Sequence, residues 1–190
     1  VTREREGGRG LTFPNARHLV SEAEWRHWHG GDDPAGPDPE TVQRPLEDQI
    51  GFVAGGEEIA PGLTVIDAPG HTPGHLAFHV PEAELLFTAD VDLTSFGPFY
   101  GHDFADIDDF LQSIERLRKR NAKIVATGHA GPFNGQIIEK FDAYEETIYQ
   151  RDRLVLEQLT RPMAIGDFSG RNLIFRTYPD FADLIRWFEL

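Results

Sequence analysis

The chain has 190 residues, of which 39% are hydrophobic and 11% aromatic, a composition typical of one globular domain with its own core. Its formal net charge of −14, from 32 acidic and 18 basic residues, disfavours a nucleic-acid partner because a phosphate backbone would be repelled. The chain contains no cysteine, which excludes disulfides, thiol catalysis and thiolate metal sites. Any metal must therefore be bound by His, Asp or Glu.

No apolar run approaches the roughly 20 residues that span a membrane. The N-terminal residues lack the apolar core of a signal peptide. We therefore expect a soluble, cytoplasmic protein without a membrane partner. The chain does not begin with Met, which suggests a processed, trimmed or incomplete chain. The one dense basic run, residues 116–120, lies at the end of a predicted helix, where cations meet the negative end of the helix dipole.

The first third of the chain predicts short elements around a loop. Ser21 and Glu24 form the capping-box pattern that starts a helix. Several Gly and Pro residues then indicate a loop. The predicted elements are, in chain order, a strand over residues 16–20, a helix from 21 to about 28, a loop over 30–39, and a helix from about 39 to 49.

The rest of the chain alternates strands with helices, which predicts an α/β layered fold. We expect strands over residues 63–66, 76–80, 85–88 and 123–127, and helices from 106 to about 117 and from 136 to about 160. Beyond Pro162 the sequence predicts a strand over 173–176 and a last helix over about 179–188. No internal repeat is evident, so we predict a single domain over 1–190 with a C-terminal helical tail from about 160.

Three residues of metal-ligand type each follow an apolar strand. His71 lies on a rigid loop of Pro and Gly after the strand over 63–66, Asp90 follows the strand over 85–88, and His129 follows the strand over 123–127. In open α/β sheets, sites gather outside the carboxyl ends of strands. Each residue also has a structural interpretation: a loop histidine bonded to backbone, or a carboxylate that caps a helix or turn. The joint pattern favours a metal site.

Other polar residues near this pattern are weaker candidates. His75 and His79 point to the same face of the strand over 76–80, so either could support a site or be a structural histidine. Tyr100 and His102 lie in the loop that follows Asp90, where they could contact substrate. No Gly-x-Ser-x-Gly elbow and no phosphate-binding Gly-Lys-Ser/Thr loop occurs, which disfavours serine hydrolases and nucleotide-driven enzymes.

Three motifs together resemble the later motifs of the metallo-β-lactamase superfamily, in order and in spacing. They are Pro69-Gly70-His71-Thr72-Pro73-Gly74-His75, Leu86-Phe87-Thr88-Ala89-Asp90 and Gly128-His129-Ala130-Gly131-Pro132. The resemblance covers most of the chain and implies an αββα sandwich with one or two metal ions between two sheets. It implies that His71 binds the first ion, that Asp90 bridges both as the catalytic carboxylate, and that His129 binds the second. His75 would play a supporting role.

The family's earlier His-x-His-x-Asp-His motif does not occur in this sequence. Two alignments account for this. In the first alignment, residues 2–5 replace the start of the motif. In the second, the chain begins at Val1, just after the motif. We prefer the second alignment, because residues 13–16 and 21–25 resemble the segment that follows the motif in family members. We therefore expect an N-terminally truncated or incomplete fold. Apolar surface left open by the absent strands would be covered in a homo-oligomer or by a complementing chain.

The resemblance implies a metal-dependent hydrolase that acts on an ester, thioester, lactone or amide of a small molecule through metal-activated water. Zinc is the expected ion, and a His/Asp site also accepts iron or manganese. The alternative is a truncated, metal-poor, non-catalytic relative that serves as a structural or binding module. An oxygen-reducing di-iron relative would need still more ligands than this sequence offers.

Overall fold

A computed structural model of the chain describes residues 2–5, 8–31, 36–168 and 171. Its first elements are β1 (Thr2–Arg5), β2 (Gly8–Leu11), β3 (His18–Val20), α1 (Glu22–Trp28), a π-helical turn (Pro39–Gln43), α2 (Arg44–Leu46), β4 (Ile50–Phe52) and β5 (Glu58–Ala60). They are followed by β6 (Leu63–Asp67), β7 (Leu76–Val80), a 3₁₀ turn (Pro81–Ala83), β8 (Leu85–Ala89), α3 (Ile107–Arg118), β9 (Ile124–Thr127), β10 (Phe133–Asn134), α4 (Ile137–Gln158) and a 3₁₀ turn (Ile165–Phe168).

The largest feature of the fold is a six-stranded sheet with the order β10-β9-β8-β7-β6-β5. Neighbouring strands are antiparallel except β8 and β9, which run parallel. Because β7 lies antiparallel between β6 and β8, the strands β6, β8 and β9 all point the same way. Their carboxyl ends therefore meet at one edge of the sheet.

One face of this sheet is covered by α3 and α4, and the hydrophobic core lies between them. The side chain of Asp106 caps α3 by accepting the Asp109 N–H at 2.8 Å. The apolar residues of α3 recur at helical spacing, so they form one buried stripe. The core consists of Ile66, Ala77, Leu86 and Val125 from the sheet, Phe110, Ile114 and Leu117 from α3, and Ile137, Phe141, Tyr144 and Ile148 from α4, together with neighbouring loop residues.

The other face of the sheet carries apolar side chains that the described residues leave partly open. Phe78 lies opposite Phe87 across β7 and β8, and Leu85 lies opposite Ile124 across β8 and β9. Together with Val80, these residues form a surface that we call the open sheet face. Phe87 is 40% exposed and Ile124 is 39% exposed. A contiguous apolar surface on a protein often marks a site where another protein binds.

The basic run at the end of α3 forms ion pairs with acidic side chains. Arg118 bonds Asp142 at 2.6 Å and Glu145 at 2.9 Å on α4. Lys119 bonds Glu115 at 3.1 Å, one turn earlier on its own helix. The two pairs of Arg118 therefore link α3 to α4 across the surface of the domain.

The N-terminal elements follow the prediction in part. α1 begins as the capping box predicts, with the Ser21 side chain accepting the Glu24 N–H at 3.1 Å. The strand before it is β3, shorter than predicted, and it pairs in parallel with β4. The sequence did not predict β4, because three residues are too few to show an alternating pattern. β1 and β2 form a separate antiparallel pair.

The predicted helix over residues 39–49 was too long. A π-helical turn and then α2 replace it, and residues 47–49 form a turn. Pro45 is the physical reason, since a proline inside a helix has no N–H to give the carbonyl four residues earlier. That carbonyl, of Thr41, accepts a hydrogen bond from the Thr2 side chain at 2.8 Å instead.

The C-terminal end of the chain was predicted to hold a strand and a helix. Both predictions, over residues 173–176 and 179–188, lie outside the described residues. The long helix predicted before them is α4, which ends at Gln158. Within the described ranges, no helix combines the length and apolar character needed to cross a bilayer.

Candidate active site

The three residues predicted to form a site lie at the same edge of the six-stranded sheet. His71 follows β6, Asp90 follows β8 directly, and His129 follows β9 by two residues. The three strands point the same way, so the loops after them share one rim. The structure therefore brings together the residues that the strand-end pattern predicted to be neighbours.

A cavity of about 450 Å³ opens at this rim. Both polar and aromatic side chains line it. Its volume lies within the range of small-molecule sites. The cavity is lined by His71, Asp90, Asp92, Thr94, Phe96, Gly97, Phe99, His129 and Tyr144.

The carboxylate of Asp90 lies between the two histidines. His129 Nε2 is 2.9 Å from one carboxylate oxygen of Asp90, which makes it a hydrogen-bond donor to that oxygen. His71 Nε2 is 3.9 Å from the other oxygen, beyond hydrogen-bonding distance. Two imidazole nitrogens and one carboxylate thus face the same space.

The orientation of His71 is set by a backbone carbonyl. His71 Nδ1 lies 2.9 Å from the Phe99 carbonyl oxygen. Since a carbonyl oxygen only accepts, Nδ1 carries a proton, and in a neutral ring Nε2 then keeps its lone pair for the cavity. Histidines that bind metals commonly use this arrangement, with the outer nitrogen donating to a carbonyl or carboxylate.

His75 supports the site from below and takes no part in lining the cavity. Its Nδ1 donates to the Ala68 carbonyl at 3.0 Å, and its Nε2 accepts the Asp90 backbone N–H at 3.1 Å. Both nitrogens are therefore occupied by backbone. Burial lowers the pKa of His75, which keeps the ring neutral as this bonding pattern requires.

The loop that carries His71 is held by the start of α1, a contact that the sequence analysis missed. One carboxylate oxygen of Glu24 accepts hydrogen bonds from the Thr72 hydroxyl at 2.7 Å and from the Gly74 N–H at 3.0 Å. Ser21 donates to the Gly74 carbonyl at 2.7 Å. A capping box is a local signal, so nothing in it indicates that its glutamate also bonds a loop about 50 residues away.

Two further residues of the cavity were also missed. Asp92 accepts the His129 backbone N–H at 3.3 Å, and burial raises the pKa of its carboxyl group. Tyr144 of α4 is almost fully buried, which raises the pKa of its hydroxyl. The spacing of Asp90 and Asp92, two residues apart after a strand, is the one sequence signal that could have found Asp92.

The remaining predicted residues lie outside the cavity lining. His79 lies about 10 Å along β7 from Leu76. Burial, and secondarily Arg120 near the end of α3, lower its pKa. The ring of Tyr100 packs against the guanidinium of Arg151, at 5.3 Å. His102 is closer to the site, with its ring 6.5 Å from that of His71.

The donor types of the cavity fit a divalent metal, and the geometry supplies part of a coordination shell. Imidazole nitrogen and carboxylate oxygen are ligands that zinc, iron and manganese share. Within residues 2–5, 8–31, 36–168 and 171, however, no group of three or more His, Asp, Glu or Cys side chains is arranged to hold an ion. His129 donates directly to Asp90, and it would have to give up this bond to bind a metal through Nε2.

Relatives of known sequence match part of the chain. A protein of Caenorhabditis elegans, "Beta-lactamase-like protein 2 homolog", is 28% identical over 117 residues, which are 62% of this chain and 38% of that protein. "Atrochrysone carboxyl ACP thioesterase AgnL7" of Paecilomyces divaricatus is 30% identical over 128 residues, 59% of this chain and 37% of that protein. The chain therefore spans less than half the length of these curated relatives.

Among solved structures, the metallo-beta-lactamase family protein TTHA1429 from Thermus thermophilus superposes with a TM-score of 0.68 and 25% identity. The superposition covers 92% of this chain and 65% of that one. The archaeal superfamily protein ST1585 from Sulfolobus tokodaii has a TM-score of 0.51 at 15% identity, over 90% of this chain and 66% of that one, and shows the fold alone. The family profile described as "Metallo-beta-lactamase superfamily" matches residues 11–129, more than half of the chain. This chain belongs to the metallo-β-lactamase superfamily.

Proposed function

We propose that this chain carries part of the active site of a metal-dependent hydrolase that cleaves an ester, thioester, lactone or amide. The observation that carries the proposal is the convergence of His71, Asp90 and His129, from three strand ends, on one cavity of about 450 Å³. Because the chain spans less than half the length of the two curated relatives named above, the activity of the whole protein is itself part of the proposal.

The nitrogens of His71 and His129 and the carboxylate of Asp90 would hold the ion, which we propose to be zinc, with iron or manganese as alternatives. Such an ion polarises a carbonyl group and lowers the pKa of water. The chain's own groups prepare the site. His71 presents Nε2 because Nδ1 donates to the Phe99 carbonyl, and Asp90 presents the carboxylate oxygen that His129 now bonds.

A thioester is the first substrate class to test. One relative is named "Atrochrysone carboxyl ACP thioesterase AgnL7", and this name supports a thioester as the group that the proposed reaction cleaves. Phe96 and Phe99 line the cavity together with the polar groups. We propose that these rings contact the acyl portion of the substrate and exclude water from it, while the carbonyl faces His71 and Asp90.

A second candidate is a non-catalytic binding module, and a specific observation favours it. His129 and Asp90 satisfy each other directly, and the described part of the chain contains no complete ligand group for an ion. A module of this kind would keep the fold and the cavity without the reaction.

Metal content and activity, measured together, distinguish the two candidates. The purified chain is dialysed against zinc, iron or manganese, its metal content is determined by plasma mass spectrometry, and hydrolysis of a short acyl thioester is followed with and without chelator. We expect bound metal and chelator-sensitive hydrolysis. Loss of a group that only hydrogen-bonds to a metal ligand typically lowers metal affinity by roughly 10–100-fold. His71→Ala removes a proposed ligand itself and should therefore lower metal affinity by more than this.

The control is His18→Ala, which removes a histidine on β3, away from the site. It should leave metal content and hydrolysis unchanged. If the chain contains no metal and chelators alter neither its stability nor its hydrolysis of thioester or ester, the hydrolase proposal fails and the binding module is favoured.

A further inference from the structure

Arg151, on α4, is a buried cation that the proposed reaction does not use. Its side chain is 4% exposed. Burying a guanidinium costs free energy unless its donors are paired. Here the two terminal nitrogens bond the carbonyl oxygens of Pro98 and, at 3.0 Å, Phe96, and the guanidinium lies 5.3 Å from the centre of the Tyr100 ring. Arg151 therefore contacts the loop 96–100 at its first, third and fifth residues.

The loop 96–100 packs closely on α4 around this arginine. A methyl group at Gly97 would lie 2.8 Å from a side-chain methyl of Thr147 and 3.0 Å from a guanidinium nitrogen of Arg151. The φ angle of Gly97 is +83°, a conformation that favours glycine. The position of the loop is thus determined by its contacts with α4.

The same loop supplies the carbonyl that orients His71. Phe99, between the residues that Arg151 contacts, turns its carbonyl oxygen to His71 Nδ1 at 2.9 Å. This bond decides which nitrogen of His71 carries the proton. A shift of the loop would weaken it and allow the other tautomer, in which Nε2 is protonated and has no lone pair for a ligand.

We infer that Arg151 is a positioning residue: by holding the loop 96–100 against α4, it fixes the tautomer and the ring orientation of His71. The guanidinium suits this task because its rigid fork of donors can bond two carbonyls while its face packs on a ring. Lysine offers a single ammonium group and cannot reproduce this geometry. The consequence for metal binding rests on the proposed function, whereas the effect on the tautomer does not.

The test compares Arg151→Met and Arg151→Lys with Arg153→Met. Arg153 lies on the same helix, is exposed and pairs with Glu146, so it is a matched control. Proton–nitrogen correlation spectra of the histidine rings, recorded on metal-free protein above the titration range of histidine, report each tautomer. Chemical denaturation identifies folded variants, and titration with Co²⁺ measures metal affinity.

The wild type and Arg153→Met should show His71 protonated at Nδ1. Arg151→Met should show a mixture of His71 tautomers, with His75 unchanged because its partners belong to other segments. Its Co²⁺ affinity should fall about 10–100-fold, the usual effect of losing an outer hydrogen-bond partner. Arg151→Lys retains the charge and should show a mixture of His71 tautomers intermediate between those of the wild type and Arg151→Met. This variant keeps the test valid even if Arg151→Met fails to fold.

Folded Arg151 variants with an unchanged His71 tautomer would overturn the inference, whatever their metal affinity. A wild type that binds no Co²⁺ but shows the tautomer change on Arg151 substitution would refute the proposed metal function and leave the positioning role intact. The two failures are therefore distinguishable.

Discussion

The backbone N–H of Asp90 donates to Nε2 of His75 at 3.1 Å. Through this bond one buried ring joins the residue after β8 to the loop after β6, since the other ring nitrogen donates to the Ala68 carbonyl. The two strand ends that supply His71 and Asp90 are thus connected by a side chain that faces neither cavity nor solvent. His75 contributes to the site by holding its two sides at a constant separation.

Replacement of His75 by Ala should destabilise the fold strongly. It removes a side chain that is 7% exposed and leaves the Ala68 carbonyl and the Asp90 N–H without this partner. We expect the free energy of unfolding to fall by about 2–4 kcal/mol, the range for a buried polar group lost together with its volume. Urea denaturation followed by circular dichroism measures the change.

His129→Ala is the control for that experiment. The side chain of His129 is 69% exposed, so its loss should change the free energy of unfolding by no more than about 0.5 kcal/mol. Equal effects of the two substitutions would contradict the supporting role of His75.

The sequence predicted the positions of the candidate site residues as far as local patterns determine them. Apolar runs followed by His71, Asp90 and His129 placed each residue at a strand end, and strand direction then placed all three at one rim. The helix cap at Ser21 was predictable for the same reason, because it involves residues three apart. These features need no knowledge of tertiary contacts.

What could not be predicted depends on contacts between distant segments. Glu24 bonds Thr72, and Arg151 bonds the carbonyl of Phe96, across 48 and 55 residues. In sequence, the first is a helix cap and the second an arginine on a charged helix. Their partners are backbone groups or a single hydroxyl, which leave no pattern of residue types to recognise.

Gly70 tests how tightly the His71 loop is packed against α3. Its φ angle is +119°, and a methyl group there would lie 2.3 Å from backbone atoms of Phe110. Gly70→Ala should therefore combine backbone strain with a clash that no side chain can relieve, and lower the free energy of unfolding by about 3 kcal/mol or more. Denaturation and metal content should both be measured, since His71 is the next residue.

Gly62→Ala is the matched control for Gly70. Its φ angle is +73°, yet no atom lies within 4 Å of the added methyl group. Strain alone should then cost about 1–2 kcal/mol. If both variants lose the same stability, the close approach to α3 has no energetic consequence.

His79 should make the stability of the fold depend on pH. Burial, and secondarily Arg120, lower the pKa of His79 from its ordinary value of 6.5. Between the folded and the unfolded pKa, the unfolded chain binds the proton and the folded chain does not. Stability is therefore retained above pH 6.5 and lost as the pH falls below it.

His79→Gln should reduce this loss, because glutamine does not titrate. Denaturation of the wild type and the variant across the histidine titration range measures the difference. A variant that loses stability with acid as steeply as the wild type would show that His79 is not responsible.

The open sheet face should be covered in solution by a second copy of the chain or by a complementing chain. Phe87 and Ile124 are about 40% exposed, on the side of the sheet opposite α3 and α4. Burying such area stabilises by about 25 cal/mol per Å². We expect light scattering at physiological salt, where charge repulsion is screened, to find a mass above 21.4 kDa that increases with concentration.

Phe87→Lys and Ile124→Lys should reduce this association, because each places a charge in the apolar surface that the partner would have to desolvate. Phe52→Lys is the control: Phe52 is 48% exposed but lies on β4, outside the six-stranded sheet. Its substitution should leave the mass as in the wild type. Exposed apolar surface binds hydrophobic dyes. A wild type that remains a monomer at every concentration and binds no such dye would therefore show that the open sheet face needs no partner.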